Sequence, residues 1–293
     1  MTIHVYEKGF TVLYEAPSSI VDIVFVHGFT GHPKDTWTTR STGESSTPKK
    51  RSWEQGKGVY WPTELASQTI PNSRIPTYGY DPKIRHWAKG PVSQSSVYDH
   101  AGDFLTSLEH QRRGADQQHR PILFVAHSLG GIVTKEALRI SRGWGSVKPH
   151  LHAIFEATVG VMFFGTPHAG ADPRSFLHHV LAVSAVALGA QVNKKIVSAL
   201  MPGAEVLARL RDDFSMMCHE KKWHIYSFQE EFSVIALFGK QVVDEASSCL
   251  NDPIIETKQR ISSNHMNMCR FSGPQDPEYS KVAAGLTFII DAI

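Results

Sequence analysis

The segment FVAHSLGGIVTKEAL, residues 124–138, decides how this chain is expected to fold. Its apolar run ends at Ser128, and a helical pattern of apolar residues begins after two glycines. This is typical of a nucleophile elbow, in which a buried strand delivers a serine on a tight turn that opens a helix. Strand and helix nearly touch there, so small residues must flank the serine two positions away on each side. Ala126 and Gly130 meet that need, although glycine is the usual residue at the first position.

Short β-branched runs alternate with helical patterns along the rest of the chain. We expect strands at residues 11–14, 20–26, 74–78, 122–125, 160–164, 223–228 and 253–256. Helices are expected at residues 61–69, 96–111, 132–140, 174–190, 194–201, 204–218 and 280–293. The alternation predicts an α/β fold with a mostly parallel central sheet flanked by helices. We interpret residues 1–293 as one domain, with residues 171–218 forming a helical lid-like insertion, or cap, within it.

Composition narrows the classes of partner and compartment. Thirty basic residues against 28 acidic ones give a formal net charge of +2, which does not favour nucleic acid as a partner. Three cysteines, an odd number, favour a reducing compartment over a disulfide framework. Residues 1–15 lack a signal-peptide pattern, and the longest apolar stretch, residues 180–192, is too short to cross a bilayer. We therefore expect a cytoplasmic protein without a transmembrane segment, and the oligomeric state stays open.

An elbow serine needs a general base, and a carboxylate behind that base. With this elbow the order along the chain is serine, acid, histidine. Of sixteen histidines, only His265 follows Phe228, so His265 is the predicted base if the acid lies at or after Glu230. His168 precedes every credible acid, and we expect it to shape the pocket wall instead.

The acid itself has several candidates. Glu230 stands just past the predicted strand at residues 223–228, at the sheet edge where open α/β sheets bind their ligands, and it is favoured. The alternatives are Asp244, followed by Glu231, Glu245 and Asp252.

Acyl transfer also needs hydrogen-bond donors for the developing oxyanion. The backbone N–H of Leu129, directly after the nucleophile, is the first predicted donor. The run IVFVHGFTG, residues 23–31, ends an early strand with His-Gly, which makes the N–H of Phe29 the second. The histidine pairs at residues 150–152 and 178–179 lack further ligands at metal spacing, and no phosphate-binding glycine loop is present. No metal and no cofactor are expected.

Taken together, these motifs resemble a lipase-like branch of the α/β-hydrolases, including the serine-active-site-containing proteins and fungal hydrolase domains found at the N-terminus of larger proteins. The matching blocks are residues 26–33, 71–81, 125–133, 163–170, 227–230 and 264–271. The resemblance implies the α/β-hydrolase fold and a triad of Ser128, His265 and an acid best matched by Glu230. It also implies hydrolysis of a carboxylic ester or thioester without a cofactor.

Two other functions stay open at this point. The same pocket could isomerise or cyclise a natural product, with His265 as base and Ser128 only donating a hydrogen bond. Alternatively, the fold could serve as a non-catalytic effector or interaction domain. The leading hypothesis is a serine hydrolase that forms an acyl-enzyme with a small-molecule or lipid acyl substrate, apolar or derived from a natural product.

Overall fold

A computed structural model of the chain describes residues 3–28, 31–39, 58–80, 97–114, 117–168, 204–232 and 247–293. Its strands are β1 (Gly9–Glu15), β2 (Val21–Val26), β3 (Ser73–Gly79), β4 (Ile122–His127), β5 (Thr158–Phe164), β6 (His224–Glu230) and β7 (Glu256–Ile261). They form one sheet in the order β1-β3-β2-β4-β5-β6-β7. Only the β1–β3 pair is antiparallel among these strands, so the predicted mostly parallel sheet is confirmed.

The helices lie between the strands, as the alternating pattern predicts. A π-helical turn (Pro62–Ala66) continues into α1 (Ser67–Thr69), and α2 (Val97–Gln111), α3 (Leu129–Trp144), α4 (Pro149–Ala157), α5 (Ala204–Lys221) and α6 (Pro277–Asp291) follow. A 3₁₀ turn, Asp35–Trp37, follows β2.

Two expectations about these elements are wrong. The last strand does not occupy residues 253–256 but begins at Glu256, and its sequence ETKQRI exposes much of its length. It pairs only with β6 in the described sheet, and such an edge strand needs no continuous apolar run. Helix α4 was not predicted at all, although Pro149 suits its first turn and Leu151, Ile154 and Phe155 line one face.

The core lies on both faces of the sheet. Strands β2 and β4 are buried along their whole length, as expected for parallel strands covered on both sides. Val24 and Val26 pack towards α2, α3, α4 and α5, whereas Ile23 and Phe25 pack in the opposite cluster with Trp61 and α6. The molecule is therefore layered as helix, sheet and helix, and the carboxyl ends of the parallel strands meet along one edge.

The predicted lid is described only in part. Residues 204–218 of the range 171–218 belong to α5, and its Phe214 and Met217 are buried in the core cluster that also contains α3 residues. This part of the range is thus a helix of the flanking layer, and residues 171–203 lie outside the described residues. No helix in the described ranges is long and apolar enough to cross a bilayer.

Candidate active site

Ser128 stands between β4 and α3 in the backbone conformation of a nucleophile elbow. Its φ of 55° and ψ of −127° lie in a region that side-chain-bearing residues seldom adopt. Two contacts to the adjacent strand end hold it there. The Ser128 N–H donates to the Phe164 carbonyl oxygen at 2.8 Å, and Thr166 Oγ1 donates to the Ser128 carbonyl oxygen at 3.1 Å.

The small residues around the serine are required by close backbone packing. A methyl group on Gly130 would lie 2.4 Å from the His27 carbonyl oxygen and 2.6 Å from that of Val26. The first turn of α3 therefore sits directly against the end of β2. Ala126 is fully buried and in register with Val26 and Phe163, so a methyl group is accommodated where glycine is usual.

The predicted base lies next to the predicted nucleophile. His265 follows β7 in a turn, and its Nε2 is 3.1 Å from Ser128 Oγ, with both residues buried. Burial, and next the nearby His127, hold the pKa of His265 well below its ordinary value of 6.5. A neutral imidazole with its hydrogen on Nδ1 accepts the Ser128 hydroxyl at Nε2. This pair can therefore transfer a proton from Oγ to Nε2.

Glu230 is the candidate acid that the described contacts connect to His265. It is the last residue of β6, is buried, and accepts the backbone N–H of His265 at Oε2 over 2.9 Å. Glu231 instead accepts from the Ser262 hydroxyl at 2.5 Å on the surface, and Asp252 contacts His219 at 2.7 Å. The alternatives Asp244 and Glu245 lie outside the described residues.

Of the two predicted oxyanion donors, Leu129 lies among the described residues and Phe29 does not. Leu129 is the first residue of α3, where backbone N–H groups have no acceptor within the helix and the helix dipole favours negative charge. Phe29 lies outside the described residues, but Gly28 before it brings β2 to the nucleophile. A methyl group on Gly28 would lie 2.8 Å from Ser128 Cβ. His27 stacks on Tyr80 with centroids 4.5 Å apart, and the Tyr80 hydroxyl donates to the His27 carbonyl oxygen.

The loop at residues 165–168 packs against both the nucleophile and the base. Gly165 has a φ of 55°, and a methyl group there would lie 2.9 Å from His265 Nδ1. At the other end of the loop, His168 is buried with Nδ1 3.3 Å from Lys135 Nζ of α3. The Ser128 hydroxyl therefore contacts His265, and the expected place of His168 in the pocket wall stays a prediction.

Sequence reasoning missed two buried polar residues near this site, His127 and Lys135. His127 lies inside the elbow motif, so its position was visible although its contact was not. Lys135 is in the helical run after the elbow, where its buried orientation follows only from the packing of α5 against α3. Burial lowers the pKa of Lys135 to about 7.

Known proteins are similar to this chain in sequence or in fold. Bovine Protein SERAC1 is 26% identical over 297 residues, covering 98% of this chain and 42% of the relative. The phospholipase PlaB of Legionella pneumophila superposes with a TM-score of 0.58 at 12% identity, over 92% of this chain and 59% of that one. For the lipase BlEst2 of Bacillus licheniformis the TM-score is 0.55 at 15% identity, over 96% and 97% of the two chains. The chain has the α/β-hydrolase fold.

This α/β-hydrolase fold was predicted from the sequence and is confirmed. No protein-family profile matches the chain. The chain spans less than half the length of the curated relatives it matches. The resemblance to fungal hydrolase domains stays a prediction, and so do the roles assigned to the residues of the site.

Proposed function

We propose that this α/β-hydrolase-fold protein is a serine hydrolase that cleaves carboxylic esters or thioesters through an acyl-enzyme. The observation that carries the proposal is the 3.1 Å contact between Ser128 Oγ and His265 Nε2, made by a serine in a strained turn at the N-terminus of α3. A held-out serine with an adjacent neutral imidazole is the arrangement that nucleophilic acyl transfer requires.

The proposed reaction has two halves. As Ser128 Oγ bonds to the acyl carbon, its proton passes to His265 Nε2 and the carbonyl electrons move onto the oxygen. The backbone N–H groups of Leu129 and Phe29 donate to that oxyanion, and the Glu230 carboxylate orients His265 and stabilises its charged form. The leaving alcohol or thiol takes the proton from His265. Water then attacks the acyl group with His265 again as base, releasing the acid and restoring Ser128.

The proposed substrate is a small molecule or lipid with an apolar acyl or natural-product chain. The names of two structural neighbours, a lipase and a phospholipase, support an acyl substrate. Of residues 171–218, expected to form a cap over the acyl chain, residues 171–203 lie outside the described residues. The mechanism draws every proton-transfer group from the protein, so it uses no metal and no organic cofactor.

Ser128→Ala tests the proposal directly. Removing the nucleophile should lower kcat on p-nitrophenyl esters of short and medium acyl chains, and on acyl thioesters, by on the order of 10⁶-fold. Ser280→Ala is the matched control, because Ser280 is an exposed serine of α6. Labelling by a fluorophosphonate probe should follow the same pattern, with Ser280→Ala labelled and Ser128→Ala not.

Two results would overturn hydrolysis in favour of the alternatives. If Ser128→Ala kept its turnover of a substrate while His265→Ala lost it, the site would perform proton-transfer chemistry such as isomerisation. If neither the wild type nor any variant turned over esters or reacted with the probe, a non-catalytic role would be favoured.

The acid is assigned by a second pair of variants. Glu230→Gln should lower kcat strongly, whereas Asp244→Asn should leave it close to the wild-type value. The reverse ranking would transfer the role of acid from Glu230 to Asp244.

A further inference from the structure

The residue directly before the nucleophile contacts the loop that carries the proposed base. His127 Nε2 lies 3.0 Å from the backbone carbonyl oxygen of His265. A carbonyl oxygen only accepts, so Nε2 must carry the hydrogen and donate. The neutral His127 ring is therefore the Nε2–H tautomer.

The position of the His127 ring is fixed by the strand that carries it and by neighbouring rings. His127 is the last residue of β4, in register with Phe164 of β5, and its side chain is buried. Its ring centroid lies 5.0 Å from that of His265 and 6.5 Å from that of Trp37. The donor therefore cannot shift far without moving the strand end to which Ser128 is attached.

The backbone of His265 is therefore hydrogen-bonded on both sides. Its N–H donates to Glu230 Oε2 at 2.9 Å, and its carbonyl oxygen accepts from His127 Nε2 at 3.0 Å. Glu230 ends β6 and His127 ends β4, so the loop is tied to two strand ends of one rigid sheet. Of these two hydrogen-bonding residues, only His127 is adjacent to Ser128 in the chain.

We propose that His127 is a positioning residue for the Ser128–His265 pair. By donating from Nε2 to the His265 carbonyl oxygen, it sets the separation of nucleophile and base. The inference rests on the proposed hydrolase function. Its energetic significance follows from geometry, because a misplacement of about 1 Å between reacting groups can reduce the rate by about 10²-fold.

The charge state of His127 agrees with this role. Burial lowers its pKa from 6.5 to about 4, with the His265 carbonyl contact opposing and the Arg270 charge reinforcing that shift. The ring therefore stays neutral at the pH where hydrolases work. It holds the base without placing a positive charge beside an imidazole that must take up a proton.

Three substitutions at His127 separate the hydrogen bond from the volume of the ring. His127→Gln places an amide N–H at the position of Nε2, His127→Asn places it at that of Nδ1, and His127→Met has no donor. We expect the Gln variant to keep most of its kcat. The Asn and Met variants should lose up to about 10²-fold in kcat with little change in KM, because substrate binding is not altered. Thermal unfolding of each variant identifies a temperature at which all of them are folded, and the kcat values are compared at that temperature.

Equal kcat in the wild type and in the Met and Asn variants would overturn the proposal, as would a Gln variant as slow as Met. The tautomer gives a test that is independent of turnover. In ¹H–¹⁵N spectra of the imidazoles at pH 7, the His127 ring should be neutral, with its hydrogen on Nε2. A hydrogen on Nδ1 would overturn the proposal even in an active enzyme. Failure of the hydrolase function would look different, since the wild type and Ser128→Ala would then be equally inactive.

Discussion

The two ends of the central sheet both bury polar side chains, but one end buries imidazoles beside Ser128 and the other buries a carboxylate among arginines. At the carboxyl end, beside Ser128, His127 and His265 are buried, and burial keeps the pKa of each imidazole below its ordinary value. At the amino end, Asp22 of β2 is completely buried among arginines. Because β2 is six residues long, about 20 Å separate the two ends.

The charged end is organised around one carboxylate. Asp22 Oδ1 lies 2.9 Å from Arg120 Nη1, its Oδ2 lies 3.4 Å from Arg74 Nη1, and Arg112 also contacts Oδ2. The side chains of Arg74 and Arg112 are almost fully buried as well. This cluster joins the starts of β2 and β3 to the segment between α2 and β4.

The difference separates a place for chemistry from a place for stability. A neutral imidazole can take up a proton during a reaction, whereas a guanidinium paired with a carboxylate does not change its charge. Fixed charges at the amino end can therefore fasten strands together without disturbing the proton transfer proposed at the other end.

The largest expected effect comes from breaking the charged end with Asp22→Asn. The substitution leaves three arginines without their shared carboxylate, and loss of one partner of a buried ion cluster costs about 3–5 kcal/mol in free energy of unfolding. Urea unfolding measures this loss. Wherever the variant is folded, its kcat should match the wild type, because the cluster lies at the opposite end of the sheet from Ser128.

The control for this variant is Asp35→Asn, since the side chain of Asp35 is 65% exposed and its contact with His32 is long, at 3.9 Å. It should unfold at nearly the wild-type urea concentration. Asp22→Asn with wild-type stability would contradict the role assigned to the charged end.

The buried imidazoles should make the protein sensitive to mild acid. The folded-state pKa of His127 is lowered to about 4, so below pH 6.5 the unfolded chain binds more protons than the folded one. Stability that is fully present above pH 6.5 is therefore lost as the pH falls towards 4, by about 3 kcal/mol for this residue. Buried His168 and His265 act in the same direction.

The measurement is the free energy of unfolding at a series of pH values from 7 to 4.5. Carboxylates with lowered pKa, such as Glu109 and Asp276, lose their contributions only below their unfolded values of 4.5 and 3.8, so they do not account for a change in this range. His127→Gln should show a shallower slope than the wild type. A flat profile would contradict burial of neutral imidazoles.

A smaller effect is expected from Lys135→Met. The Lys135 amine is buried near the rings of Phe163 and Phe214, and Nζ lies 3.3 Å from His168 Nδ1. Methionine fills similar space but leaves that imidazole nitrogen without this contact, which costs about 1–3 kcal/mol in free energy of unfolding. It also removes the cost of burying an amine whose pKa is lowered to about 7, so this gain offsets the loss and the contact is measured through its coupling to His168. Combining it with His168→Phe removes both partners, and the double variant should recover part of the loss. If the change in free energy of unfolding of the double variant equalled the sum of the two single changes, the pairing of Lys135 with His168 would be contradicted.

Sequence alone could predict the parts of the site that local pattern encodes. The elbow was readable because strand end, serine and helix start are adjacent in the chain, and all of them form as expected around Ser128. The place of His265 followed from chain order, and the structure brings its Nε2 next to Ser128 Oγ. The parallel sheet followed from the spacing of apolar runs.

The remainder depends on contacts that no local pattern encodes. The hydrogen bond from His127 to His265 joins residues 138 positions apart, and the contact from Arg120 to Asp22 joins residues 98 positions apart. A charged residue within a strand or helix is ordinarily read as exposed, so burial of Asp22 and Lys135 was not predictable. Strand β7 was misplaced for the converse reason, since an edge strand can be polar.

The smallest expected effect comes from Arg113→Ala. Its comparison with Arg112→Ala tests whether stability depends on burial of the charge or only on the number of charges. Arg112 and Arg113 are adjacent and chemically identical, but Arg112 is buried on Asp22, whereas Arg113 pairs with Glu109 at 2.8 Å with its own side chain 60% exposed. Solvent reaches the Arg113 side of this pair although Glu109 is buried, so Arg113→Ala should lower the urea midpoint only slightly. Arg112→Ala should lower it about as far as Asp22→Asn, because Asp22 then loses its closest guanidinium. Equal shifts for the two arginines would mean that total positive charge, rather than its enclosure with Asp22, stabilises the amino end of the sheet.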